Sequence, residues 1–218
     1  MIEEILPACV VVVEAWQDCV AQLSPQEEAL VARAVQKRRR EFTTARMCAH
    51  AALGRLGRPV SSILTGERGE PLWPSGVVGS ITHCDGYRAC AVGSSSEILT
   101  IGIDAEPHAA LPDGLLGDIA RPEELPALAQ LEAEHPVVHW DRLLFSAKES
   151  VYKAWFPLAK RWLGFEDAVL TLDPTAGTFT ARLLVDGPPL PDGPLRGFSG
   201  RWKVDNGIIA TAVSTTSA

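Results

Sequence analysis

The chain has 218 residues, 46% hydrophobic and 22% charged, with a formal net charge of −7. That length can bury a substantial core, as one large domain or two small ones. The acidic balance argues against nonspecific binding to nucleic acid or to an anionic membrane surface, and no segment approaches the roughly 18–20 apolar residues of a membrane span.

The five cysteines are odd in number and contain no CxxC pair, which fits reduced thiols in a cytosol better than a disulfide framework or a zinc site. The opening MIEEILPACVVVV carries acids where a signal peptide carries positive charge, so the expected location is the cytoplasm. Within that stretch, valine-rich residues 5–13 predict a buried strand. Ser24-Pro25-Gln26-Glu27 predicts a helix start, with serine as cap, proline in the first turn and glutamate placed for a capping box. Helical spacing runs through Leu30, Val31, Ala34 and Val35. It resumes after Phe42 with Ala45, Ala49, Ala52, Leu53 and Leu56, and stops at Gly57 and Pro59.

GERGEPLWPSG (66–76) is punctuated as a loop, in which Trp73 is an anchor. VVGSITH, YRACAV and ILTIGID predict three short strands joined by DG and SSS turns. After a proline-rich connection (107–126), a helical pattern runs from about His139 to Leu158. FEDAVLTLD, TFTARLLV and WKVDNGIIATAV follow as strands, with Asn206-Gly207 a type I′ hairpin signal. A helix followed by antiparallel strands, twice, predicts an α+β fold of two similar halves, residues 1–105 and 106–218. No sequence repeat relates them.

Chemistry concentrates at two places. IGIDAEPH (101–108) sets Asp104 and Glu106 on one face of a strand. FSAKESVYKAW (145–155) sets Glu149 and Lys153 one helical turn apart, beside Lys148. Taken singly, the first reads as two wet surface acids and the second as a solvated ion pair. Together, three carboxylates offer oxygen ligands to one hard cation, and adjacent lysines favour a polyphosphate held by magnesium. The run Lys37, Arg38, Arg39, Arg40 is by default a solvated basic helix end, and in an acidic chain it also suits a phosphate or an acidic partner.

GSITHC (79–84), IGIDAEPH and FSAKESVYKAW, in this order and spacing, resemble the signature of 4′-phosphopantetheinyl transferases of the Sfp/EntD type. KRRREFTTARMCAHAALGRLG and GERGEPLWPSG resemble that family's N-terminal motifs, so the match spans roughly residues 37–167. The resemblance implies halves related by a pseudo-twofold axis with the active site in the cleft between them. It implies transfer of the phosphopantetheine arm of coenzyme A to a serine of an apo acyl or peptidyl carrier protein, releasing adenosine 3′,5′-bisphosphate.

Carried over by residue, Asp104, Glu106 and Glu149 correspond to magnesium ligands, and Glu149 also to the general base. Lys148 and Lys153 correspond to diphosphate contacts. Thr82, His83, Arg46 and Arg68 correspond to residues around coenzyme A, with Arg68 standing where the family carries lysine. Among the clustered arginines, register to Phe42 and Arg46 favours Arg38, given a kink near Thr43-Thr44; in an unbroken helix Arg39 shares the face of Arg46 more closely. The resemblance further implies carriers of polyketide, nonribosomal peptide or siderophore synthases, and two halves in one chain predict a functional monomer. Carrier docking is expected near Leu111–Ile119, and Cys84 is expected to serve packing alone. A magnesium-dependent nuclease or phosphohydrolase also uses clustered acids with lysine, but the chain lacks a basic stripe interleaved with aromatics. A non-catalytic binding module has little reason to gather three acids.

Overall fold

A computed structural model describes residues 1–217. A short 3-10 turn, Ile2–Ile5, precedes β1 (Val11–Ala15). The strand expected over 5–13 therefore starts later: the chain turns at Pro7, whose carbonyl accepts from Val10 N at 2.9 Å. Helix α1 (Pro25–Leu30) carries the expected capping box, with Ser24 accepting from Glu27 N. Helix α2 (Gln36–Arg55) then runs unbroken through Thr43-Thr44.

The segment expected as a loop over 66–76 contains a short strand: the chain turns back at 66–70, and β3 (Pro71–Leu72) forms a two-residue ladder with β2 (Leu64–Thr65). Next come β4 (Val77–Cys84), β5 (Tyr87–Ser94) and β6 (Ile98–Pro107). The connection holds two helices that the sequence pattern left unread, α3 (Leu116–Ile119) and α4 (Leu125–Glu134), before the long α5 (Trp140–Ala159). A 3-10 turn over Phe165–Asp167 leads into β7 (Ala168–Asp173) and β8 (Thr178–Leu183), then a small hairpin of β9 (Pro189–Leu190) and β10 (Gly193–Pro194). Strands β11 (Gly197–Asp205) and β12 (Ile208–Thr216) close the fold through the expected Asn206-Gly207 turn, both residues at positive φ.

The strands form two main antiparallel sheets, β1-β5-β4 and β6-β12-β11-β8-β7. Although a short turn joins β5 to β6, β6 pairs with β12 rather than β5, so three neighbouring strands do not make one meander. The outer edge of β6 is closed by side chains of β4: Ser80 Oγ accepts from Ile103 N at 3.1 Å and Thr82 Oγ1 from Ala105 N at 3.0 Å. Buried amides thus find partners without a backbone ladder.

Three apolar clusters hold this arrangement. Cys48, Ala49, Ala52 and Leu53 of α2 pack with Val13, Cys90 and Val92. Leu143, Leu144, Val151 and Trp155 of α5 pack on Ile209, Val213 and Phe179. Between the sheets, Ile101, Ile103 and Ala105 of β6 meet Tyr87, Ala89 and Ala91 of β5. Alternation along β6 therefore turns Thr100, Gly102, Asp104 and Glu106 toward α5. Among the described residues no helix is long and apolar enough to cross a membrane.

Candidate active site

The α5 face of β6 is where the motifs meet. Thr100 Oγ1 donates to the Ala154 carbonyl at 2.7 Å, and Gly102 lies directly against the backbone of Ser150 and Ala154. A side chain at 102 would hold the helix off the strand. This close approach sets the next two positions, Asp104 and Glu106, opposite the first turns of α5.

Asp104 is 5% exposed. Lys153 Nζ donates to its Oδ1 at 2.6 Å and Ser146 Oγ to its Oδ2 at 2.8 Å, while Thr82 Oγ1 lies 3.4 Å from Oδ1. Glu106 Oε2 accepts from Arg142 Nη1 at 2.9 Å. Arg142, Ser146, Glu149 and Lys153 fall at i, i+4, i+7 and i+11, one stripe along α5. Arg142 and Ser146 escaped the sequence reading, and the signal that finds them is that spacing counted back from Glu149 and Lys153.

Burial raises the pKa of Glu106 and of Glu149, and the neighbouring Asp104 charge adds to both; Arg142 and Lys153 pull Glu106 back, and Lys153 pulls Glu149 back. The three acids thus share one field. They are not drawn into a ready cage: among the described residues no group of three or more His, Cys, Asp or Glu is arranged to hold a metal ion. Protein cations satisfy two of them instead.

Lys148 does not join this constellation. Its Nζ is buried, donates to the carbonyls of Ile119, Phe165 and Ala168 at 3.0, 2.8 and 3.2 Å, and pairs with Glu124 at 2.8 Å. One step along the helix from Glu149 rotates it about 100° onto the far side. Thr82 likewise spends its hydroxyl on β6.

The basic run is sorted by its partners. Arg39 pairs with Glu28 and donates to the Val31 carbonyl, and Arg40 reaches Asp18 at 3.6 Å. Arg38 Nη1 instead meets His83 Nε2 at 2.6 Å, without the interruption of α2 that the choice of Arg38 assumed. Arg46 is 4% exposed, stacks on the Phe42 ring at 4.4 Å, and makes no hydrogen bond or ion pair among the described residues. Burial lowers its pKa, and the Glu27 carboxylate acts in the opposite direction.

Glu149 and Lys153 line a cleft of about 530 Å³ together with Arg68, Trp73 and Tyr152. Trp73 anchors its rim by donating to the Gly79 carbonyl at 2.9 Å. Arg38, His83 and Arg46 are not among the residues lining this cleft. Cys84 is an inert neighbour of the acids, its thiol pushed by burial up to about 12. The expected docking segment divides: Leu111 and Ile119 are core residues, whereas Leu115 is exposed.

Comparison with known proteins identifies the family. Residues 26–93 match the family model of the 4′-phosphopantetheinyl transferase N-terminal domain, and residues 100–192 that of the 4′-phosphopantetheinyl transferase superfamily. The chain is 52% identical over 221 residues to the 4′-phosphopantetheinyl transferase Svp of Streptomyces mobaraensis, covering 100% of this chain and 90% of the relative. It is 50% identical over 194 residues to PptT of Mycobacterium tuberculosis, covering 87% and 84%, and 50% identical over 225 residues to Npt of Nocardia iowensis, covering 98% and 99%. The chain belongs to the 4′-phosphopantetheinyl transferase superfamily.

Proposed function

We propose that the chain transfers the 4′-phosphopantetheine arm of coenzyme A to a serine of an apo carrier protein, with Asp104, Glu106 and Glu149 holding a magnesium ion. The observation that carries this reading is the meeting of Asp104 with Ser146 and Lys153, which joins a strand tip to the helix stripe whose Glu149 and Lys153 line the cleft. The donor set fits the ion. All three groups are carboxylates, the oxygen donors magnesium prefers, and burial, with the neighbouring Asp104 charge second, raises the pKa of Glu106 and Glu149. A magnesium ion held by these residues would supply positive charge against the diphosphate and the departing adenosine 3′,5′-bisphosphate.

The chain's own residues do the rest. Glu149 takes the proton from the carrier serine. The serine oxygen then bonds to the phosphorus that carries pantetheine, and the bond from that phosphorus to the leaving phosphate breaks. Lys153 is the ammonium free to move from Asp104 to the diphosphate. Arg46 offers its guanidinium to a nucleotide phosphate, Arg38 and His83 offer a second contact, and Arg68 a third from the cleft rim. Lys148 supports the helix that carries Glu149.

In this reading the halves 1–105 and 106–218 are related by a pseudo-twofold axis, with β6 shared between them, and the protein works as a cytoplasmic monomer. Its carriers belong to polyketide, nonribosomal peptide or siderophore synthases. Incubation with coenzyme A, magnesium and an apo carrier protein tests the activity. A mass gain of one phosphopantetheine on the carrier serine is expected. No gain, with cleavage of DNA, RNA or a phosphate ester instead, identifies a nuclease or phosphohydrolase.

A further inference from the structure

Arg142 makes a three-way grip at the start of α5. Its Nη1 donates to Glu106 Oε2 at 2.9 Å, its Nε to the Ala109 carbonyl at 3.1 Å and its Nη2 to the Ala110 carbonyl at 2.8 Å. The adjacent Asp141 accepts from Leu111 N at 2.8 Å. Helix α5 therefore holds residues 109–111, the stretch that leaves β6 just beyond Glu106, through side chains on both sides of the backbone.

The pair is well sheltered, with the two side chains 17% and 19% exposed. A planar guanidinium presents its donors in a fixed fork, so holding two carbonyls fixes the direction in which the third N–H points. Glu106 Oε2 is tied to that N–H, and Oε1 accepts no bond among the described residues. A carboxylate held by one oxygen has its other oxygen aimed.

The geometry points to Arg142 as a positioning residue for Glu106: it couples the aim of that carboxylate to the conformation of residues 109–111. A lysine would supply the charge but not the fork. The inference rests on the reading of Glu106 as a cation ligand. Groups that orient a ligand from behind typically change metal affinity or activity about 10–100-fold when removed.

The test uses the full chain, Arg142→Met, Arg142→Lys and Glu106→Gln, with Mn²⁺ as probe. Free Mn²⁺ is followed by electron paramagnetic resonance in the presence of coenzyme A, and hydrogen exchange at residues 108–111 is measured without metal. Arg142→Met and Glu106→Gln should each weaken Mn²⁺ binding about 10–100-fold. Arg142→Lys should recover part of the loss, and the Leu111 amide should exchange faster in Arg142→Met. Wild-type Mn²⁺ affinity in Arg142→Met, with Glu106→Gln weakened, overturns the role of Arg142 alone. Wild-type affinity in Glu106→Gln overturns the ligand reading and the coupling built on it. If Arg142→Met does not fold, Arg142→Lys decides, and wild-type affinity there overturns the inference.

Discussion

Arg38 Nη1, at the start of α2, lies 2.6 Å from His83 Nε2 near the end of β4. A guanidinium only donates, so His83 must accept at Nε2 and be neutral. The ring is open to solvent on one side, yet desolvation of its inner edge and the Arg38 charge both lower its pKa. The contact joins two segments 45 residues apart and singles out Arg38 from its neighbours. Hydrogen bonds to a charged group contribute about 1.5–3 kcal/mol. Arg38→Ala should therefore raise the KM for coenzyme A roughly tenfold to a hundredfold, whereas Arg39→Ala and Arg40→Ala, whose side chains are engaged by Glu28 and Asp18, should stay within about twofold. Equal effects at all three positions would return the run to a solvated helix end.

Gly102 predicts a second effect. A Cβ there would overlap the Ser150 carbonyl oxygen and lie 2.6 Å from Ala154 N, and neither is a flexible side-chain tip. Overpacking of this kind costs about 1–3 kcal/mol, and relief requires α5 to move off β6. That movement separates Glu149 and Lys153 from Asp104, and a displacement near 1 Å can lower turnover about a hundredfold. Gly102→Ala should lower kcat far more than its melting temperature explains. Normal kcat in a folded variant would refute the role of this approach.

Two lysines five residues apart should separate function from stability. Lys148 is enclosed with Glu124, and removing one partner of such a buried pair costs about 3–5 kcal/mol. Lys148→Met should lose much of its melting temperature, and part of that loss should return in Glu124→Leu/Lys148→Met. Lys153 is 28% exposed, and Asp104 keeps Ser146 when it leaves. Lys153→Met should stay folded and lose turnover. The reverse pattern would assign the diphosphate to Lys148.

Glu149→Gln preserves shape and removes the base. General-base contributions are about 10²–10⁴-fold, so transfer to the carrier should fall by that order while circular dichroism and the melting curve stay close to wild type. Near-normal turnover would remove Glu149 from catalysis.

The strand tip and the helix were legible because each carries a strong period. Alternation put Asp104 and Glu106 together, and 3.6-residue spacing put Glu149 with Lys153. What the sequence could not reveal was partner choice. Lys148 looks equivalent to Lys153 in FSAKESVYKAW, and its diversion depends on Glu124, Phe165 and Ala168, which only the folded chain brings near. Strand β6 follows β5 after a short turn, and its pairing with β12 is a long-range event that no local pattern announces. Ser80 and Thr82 look like ordinary strand residues until the unpaired amides of β6 need acceptors.

The capping box at α1 predicts acid sensitivity. Glu27 is fully buried. Burial works against its ionisation, and hydrogen bonds from Ile63 N, Ser24 N and Ser24 Oγ, with the nearby His50, overcome this and hold its pKa below the usual carboxylate value. A carboxyl with a depressed folded pKa binds protons more readily in the unfolded chain, so its contribution is complete above the unfolded value near 4.3 and fades as pH falls through the folded one. Urea midpoints should therefore drop on acidification below about pH 4.5. Glu27→Gln should be destabilised by about 1–3 kcal/mol at neutral pH, because an amide leaves a buried donor unpaired, and its midpoint should change less steeply with acid. Parallel pH curves for the two proteins would mean that Glu27 titrates alike in the folded and unfolded chains, and that the link from α1 to Ile63 does not depend on its charge.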